Sequence, residues 1–261
     1  MPKLLFLLFL VGLTIIRTVF PDNRYITAAT LQYPPYEYSE NDIPKGLAID
    51  IIREIFKRTT PTREVKFYFY PWARAVIQVK TGKNDILFNA GKNKTRQQWG
   101  RYVNSTLILQ QYALFTRKGS NISLTSDLLN TQQYSIGIRR GYLYGSGALR
   151  QALDKGKFKT IYKTDSVEQS VHMLLAGRTD FFVADIIPTL YYLRKQALID
   201  KLEMIKTPNN KNLIVLEWPT YLLFSKKNFS KKFVANVEAI LNNMKKDGTY
   251  SSIYQHYTTY N

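Results

Sequence analysis

The sequence predicts an α/β fold made of two similar lobes with a ligand cleft between them. Short β-rich runs alternate with helical patterns from residue 22 onward, as expected for a sheet with crossover helices. This alternation occurs twice, and polar breaks at 118–121 and 207–212 separate the parts. The segment after the second break is expected to return to the first unit. A cleft between two lobes is a preferred place for a ligand.

The first unit begins with a strand over Tyr25–Leu31. The Pro34-Pro35 pair ends this strand, because proline lacks a backbone donor. Gly46 precedes a predicted helix whose apolar side chains share one face at i, i+4, i+5, i+8 and i+9; these are Leu47, Ile51, Ile52, Ile55 and Phe56. A second helix is predicted from Pro71 to a stop at Gly82. The remaining β-rich runs of this unit are Val65–Tyr70, Asp85–Phe88 and Leu107–Thr116.

The second unit has the same alternation of strands and helices. Ser166 and Gln169 have the spacing of a capping box, which predicts a helix that Gly177 ends. A glycine-rich turn at 141–147 precedes a helical stretch to Leu153. After the break at 207–212, a further helix carries Phe233, Val237, Ile240, Leu241 and Met244 on one face. The predicted strands are Tyr134–Ile138, Thr160–Tyr162, Phe181–Ala184 and Tyr221–Ser225.

Composition restricts the chemistry that the chain can perform. Its 261 residues are 45% hydrophobic, which is enough for a sizeable core. There is no cysteine, so disulfides, thiolate metal sites and cysteine nucleophiles are excluded. The two histidines, His172 and His256, are far apart and have no carboxylate at ligand spacing, which leaves little material for a zinc site or a Ser-His-Asp triad. We expect neither a metal nor a cofactor.

The formal net charge of +18 creates a positive field that could attract nucleic acid, anionic lipid or acidic solutes. The basic residues occur in pairs along the whole length, such as Arg139-Arg140 and Lys245-Lys246. A nucleic-acid binder usually concentrates its charge in a stripe or tail. We therefore expect a solvated basic surface and no nucleic-acid partner.

The N-terminus has the proportions of a secretory signal peptide, with Lys3 before a mostly apolar run from Leu4 to Ile16. Arg17 closes this run, and no small-x-small cleavage site follows it. The run is too short for a standard membrane-spanning helix. Residues 1–21 are therefore predicted to be either a removed signal peptide or a retained anchor, and the chain is expected in the periplasm.

Several short motifs follow one another in both units. The first unit contains Tyr33-x-Pro35, then Gly46 to Asp50, Pro71-Trp72-x-Arg74-Ala75, Gly82-x-x-Asp85 and Thr95-Arg96. The second contains Ile136-Gly137-Ile138, then Leu174 to Asp180, and Asp185, with a Lys246-Asp247-Gly248-Thr249-Tyr250 ending. In this order and spacing, from about Tyr25 to Tyr257, the chain resembles the bacterial family 3 periplasmic solute-binding proteins, the polar amino-acid receptors of ABC uptake systems.

This resemblance implies a type II periplasmic-binding-protein fold, with two hinge strands joining the lobes. The implied division is 22–117 for the first part of lobe 1, 118–211 for lobe 2 and 212–261 for the return segment of lobe 1 with its C-terminal helices. It also implies a non-enzymatic monomer that captures a small, amino-acid-like ligand and delivers it to an ABC permease. The hinges are expected near Phe115–Lys118 and Leu213–Tyr221.

The resemblance also assigns roles to individual residues. Arg96 matches the arginine that clamps a ligand carboxylate, and Asp185 matches the carboxylate that meets the ligand ammonium. Tyr33, Tyr36 and Trp72 fall where aromatic side chains line the cleft. Each has a structural alternative, which is a surface arginine on a short helix for Arg96, a helix N-cap before Pro188 for Asp185, and core packing for the aromatic residues.

Two segments of the implied site depart from the family pattern. Asn89, Ala90 and Gly91 stand where relatives that bind standard amino acids often have serines. Gly141 and Tyr142 begin a Gly-Tyr-Leu turn where those relatives have a Gly-Thr-Thr-like turn. Hydroxyl donors are therefore missing, and Tyr142 adds bulk to the implied pocket. Backbone amides at the following helix could still hold an anion.

Three other functions remain open. Related two-lobed modules include cyclohexadienyl dehydratases, so an enzyme is one alternative. A sensory or partner-binding module of the same fold is the second. A nucleic-acid protein, which rests on charge alone, is the third.

Overall fold

The structure is a computed structural model, and it describes residues 25–142 and 144–258. The N-terminal segment predicted to be a signal peptide or anchor lies outside these residues. The described strands are β1 (Tyr25–Thr30), β2 (Tyr38–Glu40), β3 (Ile43–Lys45), β4 (Glu64–Phe69), β5 (Ile86–Ala90), β6 (Gly100–Tyr102), β7 (Ile108–Arg117), β8 (Ser135–Arg139), β9 (Thr160–Thr164), β10 (Phe181–Asp185), β11 (Leu202–Met204) and β12 (Ile214–Ser225).

The helices connect these strands and cover the faces of the sheet. In chain order they are α1 (Leu47–Lys57), α2 (Trp72–Lys80), α3 (Lys94–Trp99), α4 (Ala148–Asp154), α5 (Val167–Leu175), α6 (Ile186–Lys195), α7 (Lys231–Lys246) and α8 (Thr249–Thr258), with one 3-10 turn at Ile199–Lys201. Among the residues described, no helix is both long enough and apolar enough to cross a membrane.

Within the described residues, a 10-stranded sheet runs through both lobes. Eight strands follow the path β4-β1-β5-β12-β7-β10-β8-β9, while β6 pairs with β12 and β11 pairs with β7 beside it. On one side of its centre β4, β1 and β5 are parallel, and on the other side β9, β8 and β10 are parallel. Each trio meets one antiparallel strand, β12 for the first lobe and β7 for the second. The strands β7 and β12 pair with each other in the middle. The predicted two-lobed α/β fold is confirmed.

The passage between the lobes lies earlier on β7 than the sequence predicts. The sequence places a hinge at Phe115, but this residue pairs with Phe182 of β10 and with Met204 of β11. It therefore lies inside the sheet of the second lobe. The residues of β7 that pair only with β12 are Ile108–Gln111. The expected hinge near Phe115–Lys118 is wrong for this reason, while the domain boundaries at 117 and 211 stay predictions.

Four apolar clusters fill the space between the sheet and the helices. One joins the apolar face of α1 to β1, β5 and α7, and a smaller one lies under α2 on the other face of the first lobe. Two further clusters cover the two faces of the second lobe. The stripe predicted for α1 is confirmed, because Leu47, Ile51, Ile52, Ile55 and Phe56 are all fully buried.

Local signals fix the helix ends as predicted. Ser166 caps α5 by accepting a hydrogen bond from the Gln169 amide at 3.0 Å. Gly177 follows that helix with a φ of 70°, a conformation that favours glycine. Both observations confirm the boundaries predicted for α5.

Candidate functional site

Tyr33 and Tyr36 lie on a tight turn that the N-terminus of α1 holds in place. The Tyr36 amide donates to the Tyr33 carbonyl at 2.9 Å and closes the turn. The amides of Leu47 and Ala48, at the start of α1, donate to the carbonyls of Pro35 and Tyr36 at 2.9 and 2.8 Å. These helix amides have no partner within their own helix, so the turn completes the helix as well. The two tyrosine side chains are therefore presented from a rigid support.

Asp185 ends β10 of the second lobe, and its side chain points to those two tyrosines of the first lobe. The Tyr36 hydroxyl donates to Asp185 Oδ1 at 2.9 Å, and the Tyr33 hydroxyl donates to Oδ2 at 3.3 Å. Asp185 is only 3% exposed. Although it precedes α6, it makes no capping hydrogen bond to that helix. The structural alternative of a helix N-cap is therefore not realised, and the carboxylate instead bridges the two lobes.

Burial raises the pKa of Asp185 from 3.8 to about 7. The hydrogen bonds from Tyr36 and Tyr33 oppose this rise, because they stabilise the charged form. The Ile187 amide also lies near enough to lower the pKa, although it does not reach hydrogen-bond geometry as a cap. Among the described residues, none of the salt bridges of the structure involves Asp185. A positively charged ligand group would find here a carboxylate without an ionic partner.

A small cavity of about 50 Å³ opens beside Asp185. Its walls are mainly aromatic and apolar, with one acid and one base. The lining residues are Tyr33, Tyr112, Arg139, Tyr142, Tyr144, Val167, Ser170, Val183, Ala184 and Asp185. The cavity therefore combines residues of both lobes with Tyr112 of β7, one of the strands that link them.

Arg96 belongs to a second group of predicted site residues, all in the first lobe. Asn93 caps α3 by accepting hydrogen bonds from the Thr95 and Arg96 amides at 2.8 and 3.2 Å. The Arg96 guanidinium donates to the Gly91 carbonyl at 3.1 Å and lies 5.2 Å from the centre of the Trp72 ring. An arginine has five donors, so these contacts orient the guanidinium and leave donors for an anion.

Gly91 lies at a point of close approach. A Cβ at this position would lie 2.7 Å from the Trp218 indole nitrogen. The Gly91 carbonyl also accepts from the Tyr102 hydroxyl at 2.8 Å. Gly91 therefore supports Arg96 through its carbonyl and has no room for a side chain.

Asn89 faces Glu37, a residue outside the motifs of the sequence. The Asn89 side-chain amide donates to both Glu37 carboxylate oxygens at 2.8 and 3.0 Å, and the Gln110 amide donates to Asn89 Oδ1 at 3.4 Å. Glu37 is fully buried, and burial raises its pKa well above 4.5. Asn89 is therefore committed to this buried network. An acidic residue directly after Tyr36 is the signal that could have found Glu37.

Tyr142 and Tyr144 supply part of the cavity wall. Gly141 has a φ of 77°, and a Cβ there would meet nothing within 4 Å, so it shapes the turn only. Tyr142 is 42% exposed and stands at the rim. Tyr144 is buried, and its hydroxyl accepts from the Arg139 amide at 2.6 Å. This hydrogen bond fixes the turn against β8.

The predicted site residues thus divide into distinct groups. Tyr33, Tyr36, Tyr142 and Asp185 meet at or beside one cavity. Trp72, Gly91 and Arg96 form the second group. Ala90 is fully buried in the apolar cluster under α2, which leaves only its backbone for a ligand. Sequence reasoning missed the other seven lining residues, which are Tyr112, Arg139, Tyr144, Val167, Ser170, Val183 and Ala184.

The comparison with protein families gives the clearest relationship. The model of the bacterial extracellular solute-binding proteins, family 3, matches residues 25–260. The chain belongs to this family. No curated protein sequence matches the chain. Members of family 3 are extracellular proteins by the family's own description, which agrees with the predicted resemblance.

Solved structures with the same fold come from proteins of several kinds. A Bacillus subtilis protein, described as the probable extracellular-binding protein of an amino-acid ABC transporter, has a TM-score of 0.73 at 14% identity, covering 89% of this chain and 96% of that chain. A histidine kinase sensor domain has a TM-score of 0.63 at 19% sequence identity, and the match covers 89% of this chain and 95% of that chain. An ancestral amino-acid-binding protein, described as a precursor of cyclohexadienyl dehydratase, has a TM-score of 0.60 at 18% sequence identity. This match covers 89% of this chain and 94% of that chain.

These similarities confirm the periplasmic-binding-protein fold for this family 3 chain. At sequence identities of 14–19%, these similarities are evidence for the fold and not for a shared function. Within the described part of the chain, no cluster of three or more His, Asp or Glu side chains is arranged to hold a metal ion.

Proposed function

We propose that this family 3 chain is the periplasmic binding component of an ABC-type uptake system and that it captures a small polar, amino-acid-like molecule between its lobes. One observation carries the proposal. Asp185 is a buried carboxylate of the second lobe, and the hydroxyl of Tyr36 reaches it from the first lobe at 2.9 Å. A group that is contacted from both lobes is suited to couple ligand capture to closure of the cleft.

The two ends of the ligand are assigned to the two groups of the site. Asp185 receives the ligand ammonium, and Arg96 receives the ligand carboxylate through a charge-assisted, two-pronged hydrogen bond. Since the two residues belong to opposite lobes, a zwitterion favours the closed state by bridging them. An open cleft cannot satisfy both charges at once.

The remaining parts of the proposal concern partners and location. We place the chain in the periplasm as a monomer, with an ABC permease as its partner. Its only contact with the membrane would be through an uncleaved N-terminal segment. Fractionation locates the chain, and mass spectrometry of the mature N-terminus separates cleavage from anchoring.

A thermal-shift screen tests the binding function directly. A ligand that binds only the folded protein raises its melting temperature, by an amount that grows with ligand concentration over the dissociation constant. Amino acids, polyamines and small organic acids form the panel. If no member of a broad panel of small polar solutes shifts the melting temperature, the proposal fails.

Arg96→Ala tests the carboxylate clamp by calorimetry on a ligand from that screen. Removal of one partner of a hydrogen-bonded charge pair costs about 2–5 kcal/mol of binding free energy, or roughly 30-fold to several thousand-fold in affinity. Arg96→Lys should bind with intermediate affinity, because it keeps the charge but loses the fork.

Arg74→Ala is the matched control for this experiment. The Arg74 and Arg96 guanidinium groups each lie 5.2 Å from an aromatic ring centre, but Arg74 lies over Tyr70 rather than Trp72 and is exposed on α2. Its removal should leave affinity unchanged. A change below about threefold for Arg96→Ala, which is under roughly 0.7 kcal/mol, would show that the clamp assignment is wrong.

An enzyme is the second candidate, and the pKa of Asp185 is the observation that favours it. A carboxyl group with a pKa of about 7 in a cleft has the acidity that general acid–base catalysis requires at neutral pH. Incubation with prephenate, followed by detection of phenylpyruvate, distinguishes a dehydratase from a receptor. Product formation that disappears in Asp185→Asn would establish the enzyme.

A sensory module of the same fold would bind the ligand in the same way. The genes beside this one separate the two roles, because a permease and an ATPase indicate uptake whereas a sensor kinase indicates signalling.

A further inference from the structure

The cavity beside Asp185 has the composition of an aromatic cage. Four of its lining residues are tyrosines, and Val167, Val183 and Ala184 add apolar surface. We propose that this cavity selects ligands whose cationic group is an N-alkylated ammonium, held between the tyrosine rings and the Asp185 carboxylate. The inference rests on the proposed function, and it names the chemical class of ligand that the receptor prefers.

The tyrosines surround Asp185 from several directions. Tyr33 and Tyr36 form a tilted pair with ring centres 5.6 Å apart, on the first lobe. Tyr142 and Tyr144 form a second tilted pair at 6.1 Å, on the second lobe. Tyr112 completes the wall from β7. Aromatic rings attract a cation over their faces, and this attraction is largest where water is excluded.

Part of the acceptor capacity of the cavity is already used, because each Asp185 oxygen accepts one tyrosine hydroxyl and keeps about one further acceptor site. This disfavours a primary ammonium relative to an alkylated one. A primary ammonium carries three N–H donors, and each needs an acceptor once it is buried. The Ser170 hydroxyl donates to the Ser166 carbonyl at 3.1 Å and lies 2.7 Å from the Thr164 hydroxyl.

An alkylated ammonium fits the same surroundings better. Each alkyl group removes one N–H donor and adds apolar surface, which Val183, Ala184 and the ring faces can cover. The positive charge is kept, so the attraction to Asp185 and to the rings remains. The cavity therefore favours the replacement of N–H by N–alkyl.

Arg139 also lines the cavity, and its charge opposes a ligand cation. Its guanidinium carbon lies 5.9 Å from the centre of the Tyr142 ring, and the side chain is half-buried beside this exposed rim residue. Water around a guanidinium that reaches solvent weakens its field, because Coulomb energies scale inversely with the local dielectric constant. The field of Asp185, at 3% exposure, is not weakened in this way and dominates the interior of the cavity.

Calorimetry on matched amines tests the proposal with the full chain. The probes are glycine, ethanolamine and 4-aminobutyrate, each as the primary amine, the N-methyl form and the N,N,N-trimethyl form. We expect an alkylated form to bind more tightly than its primary amine by about tenfold or more in at least one skeleton, and no primary amine to bind more tightly than its alkylated forms.

Two tyrosine variants connect this preference to the cage. Tyr142→Ala should reduce the preference to within about threefold, because it removes one ring of the wall. Tyr162→Ala is the control, since Tyr162 is similarly exposed, at 37% against 42% for Tyr142, but does not line the cavity. An unchanged preference in Tyr142→Ala overturns the proposal.

The outcomes separate this proposal from the receptor function. If a primary amine binds more tightly than its alkylated forms, or if only primary amines of the wider panel bind, the cage is wrong and the receptor role stands. If neither these amines nor the wider panel bind, the proposed function fails together with it.

Discussion

Asp185 shows how one residue can be costly to bury and still be retained. An isolated buried carboxylate is expensive unless it is paired. Here two tyrosine hydroxyls, rather than a cation, supply the partners. Hydroxyls compensate only part of the lost hydration, and the pKa of Asp185 accordingly stays near 7. The residue is thus prepared to accept a positive charge.

This raised pKa predicts a pH dependence of the free energy of unfolding. Because the pKa rises from 3.8 to about 7 on folding, the folded protein binds this proton more tightly than the unfolded chain. The stability that results is fully present below a pH of about 4 and is lost as the pH rises to about 7. In chemical denaturation, the wild type should lose about 2–4 kcal/mol over this range relative to Asp185→Asn, in which nothing titrates.

Glu37 must be controlled in the same experiment, because burial raises its pKa in the same direction. Glu37→Gln isolates its share and keeps an amide in place of the acid. If the free energies of unfolding of the wild type and Asp185→Asn change in parallel from about pH 4 to about pH 7, the raised pKa of Asp185 is wrong.

At the scale of residues, motif spacing predicts the positions that belong to known patterns. Tyr33, Tyr36 and Asp185 can be found in this way because they stand in recognisable segments. Tyr112 cannot, because only its register in β7 turns it toward the cavity. Tyr144 has a φ of 50° within a glycine-rich turn, and the backbone of such a turn decides where its side chains point.

At the scale of elements, Gly46 joins α1 to the turn that carries the site tyrosines. Its φ of 126° and ψ of 165° are accessible essentially to glycine alone. A Cβ at Gly46 would lie 2.5 Å from the Tyr36 carbonyl oxygen and 2.7 Å from that of Pro35. We predict that Gly46→Ala lowers the free energy of unfolding by about 3 kcal/mol or more, from backbone strain and overpacking together, as measured by urea denaturation.

Gly156→Ala provides the comparison for that measurement. Gly156 has a φ of 60°, but a Cβ there would meet nothing within 4 Å, so this variant should lose only the left-handed penalty of about 1–2 kcal/mol. Equal losses in the two variants would mean that the close approach at Gly46 relaxes without cost.

Amphipathic helices are the elements that sequence predicts best, because their periodicity records which face is buried. The sequence predicts β12 only from Tyr221, although the strand starts at Ile214. Pro219 argues against a strand there, yet it pairs with Leu109 within β12 and β7. The hairpin of β2 and β3 escapes prediction, since three-residue strands with partly exposed side chains leave almost no pattern.

At the scale of the molecule, closure of the cleft should be visible in solution. The contacts of Tyr33 and Tyr36 with Asp185 cross between the lobes. We predict that a bound ligand lowers the radius of gyration in X-ray scattering, and that the double variant Tyr33→Phe and Tyr36→Phe increases it in the free protein, because the phenyl rings keep the packing but lose the hydrogen bonds.

Tyr162→Phe should scatter as the wild type does, since Tyr162 belongs to β9 at the far end of the sheet. Identical profiles with and without a verified ligand would count against hinge closure.

The order of strands in the sheet also has a consequence for how the chain folds. The strands of the second lobe, from β7 to β11, are consecutive in sequence, whereas the first lobe needs β12 after them. During synthesis, the strand that completes the first lobe appears last, and its long-range pairing with β5 is slow to find. The second lobe can therefore assemble while β5 of the first lobe still has an unpaired edge. Pairing of β12 with β5 then completes the sheet and is the last step of folding.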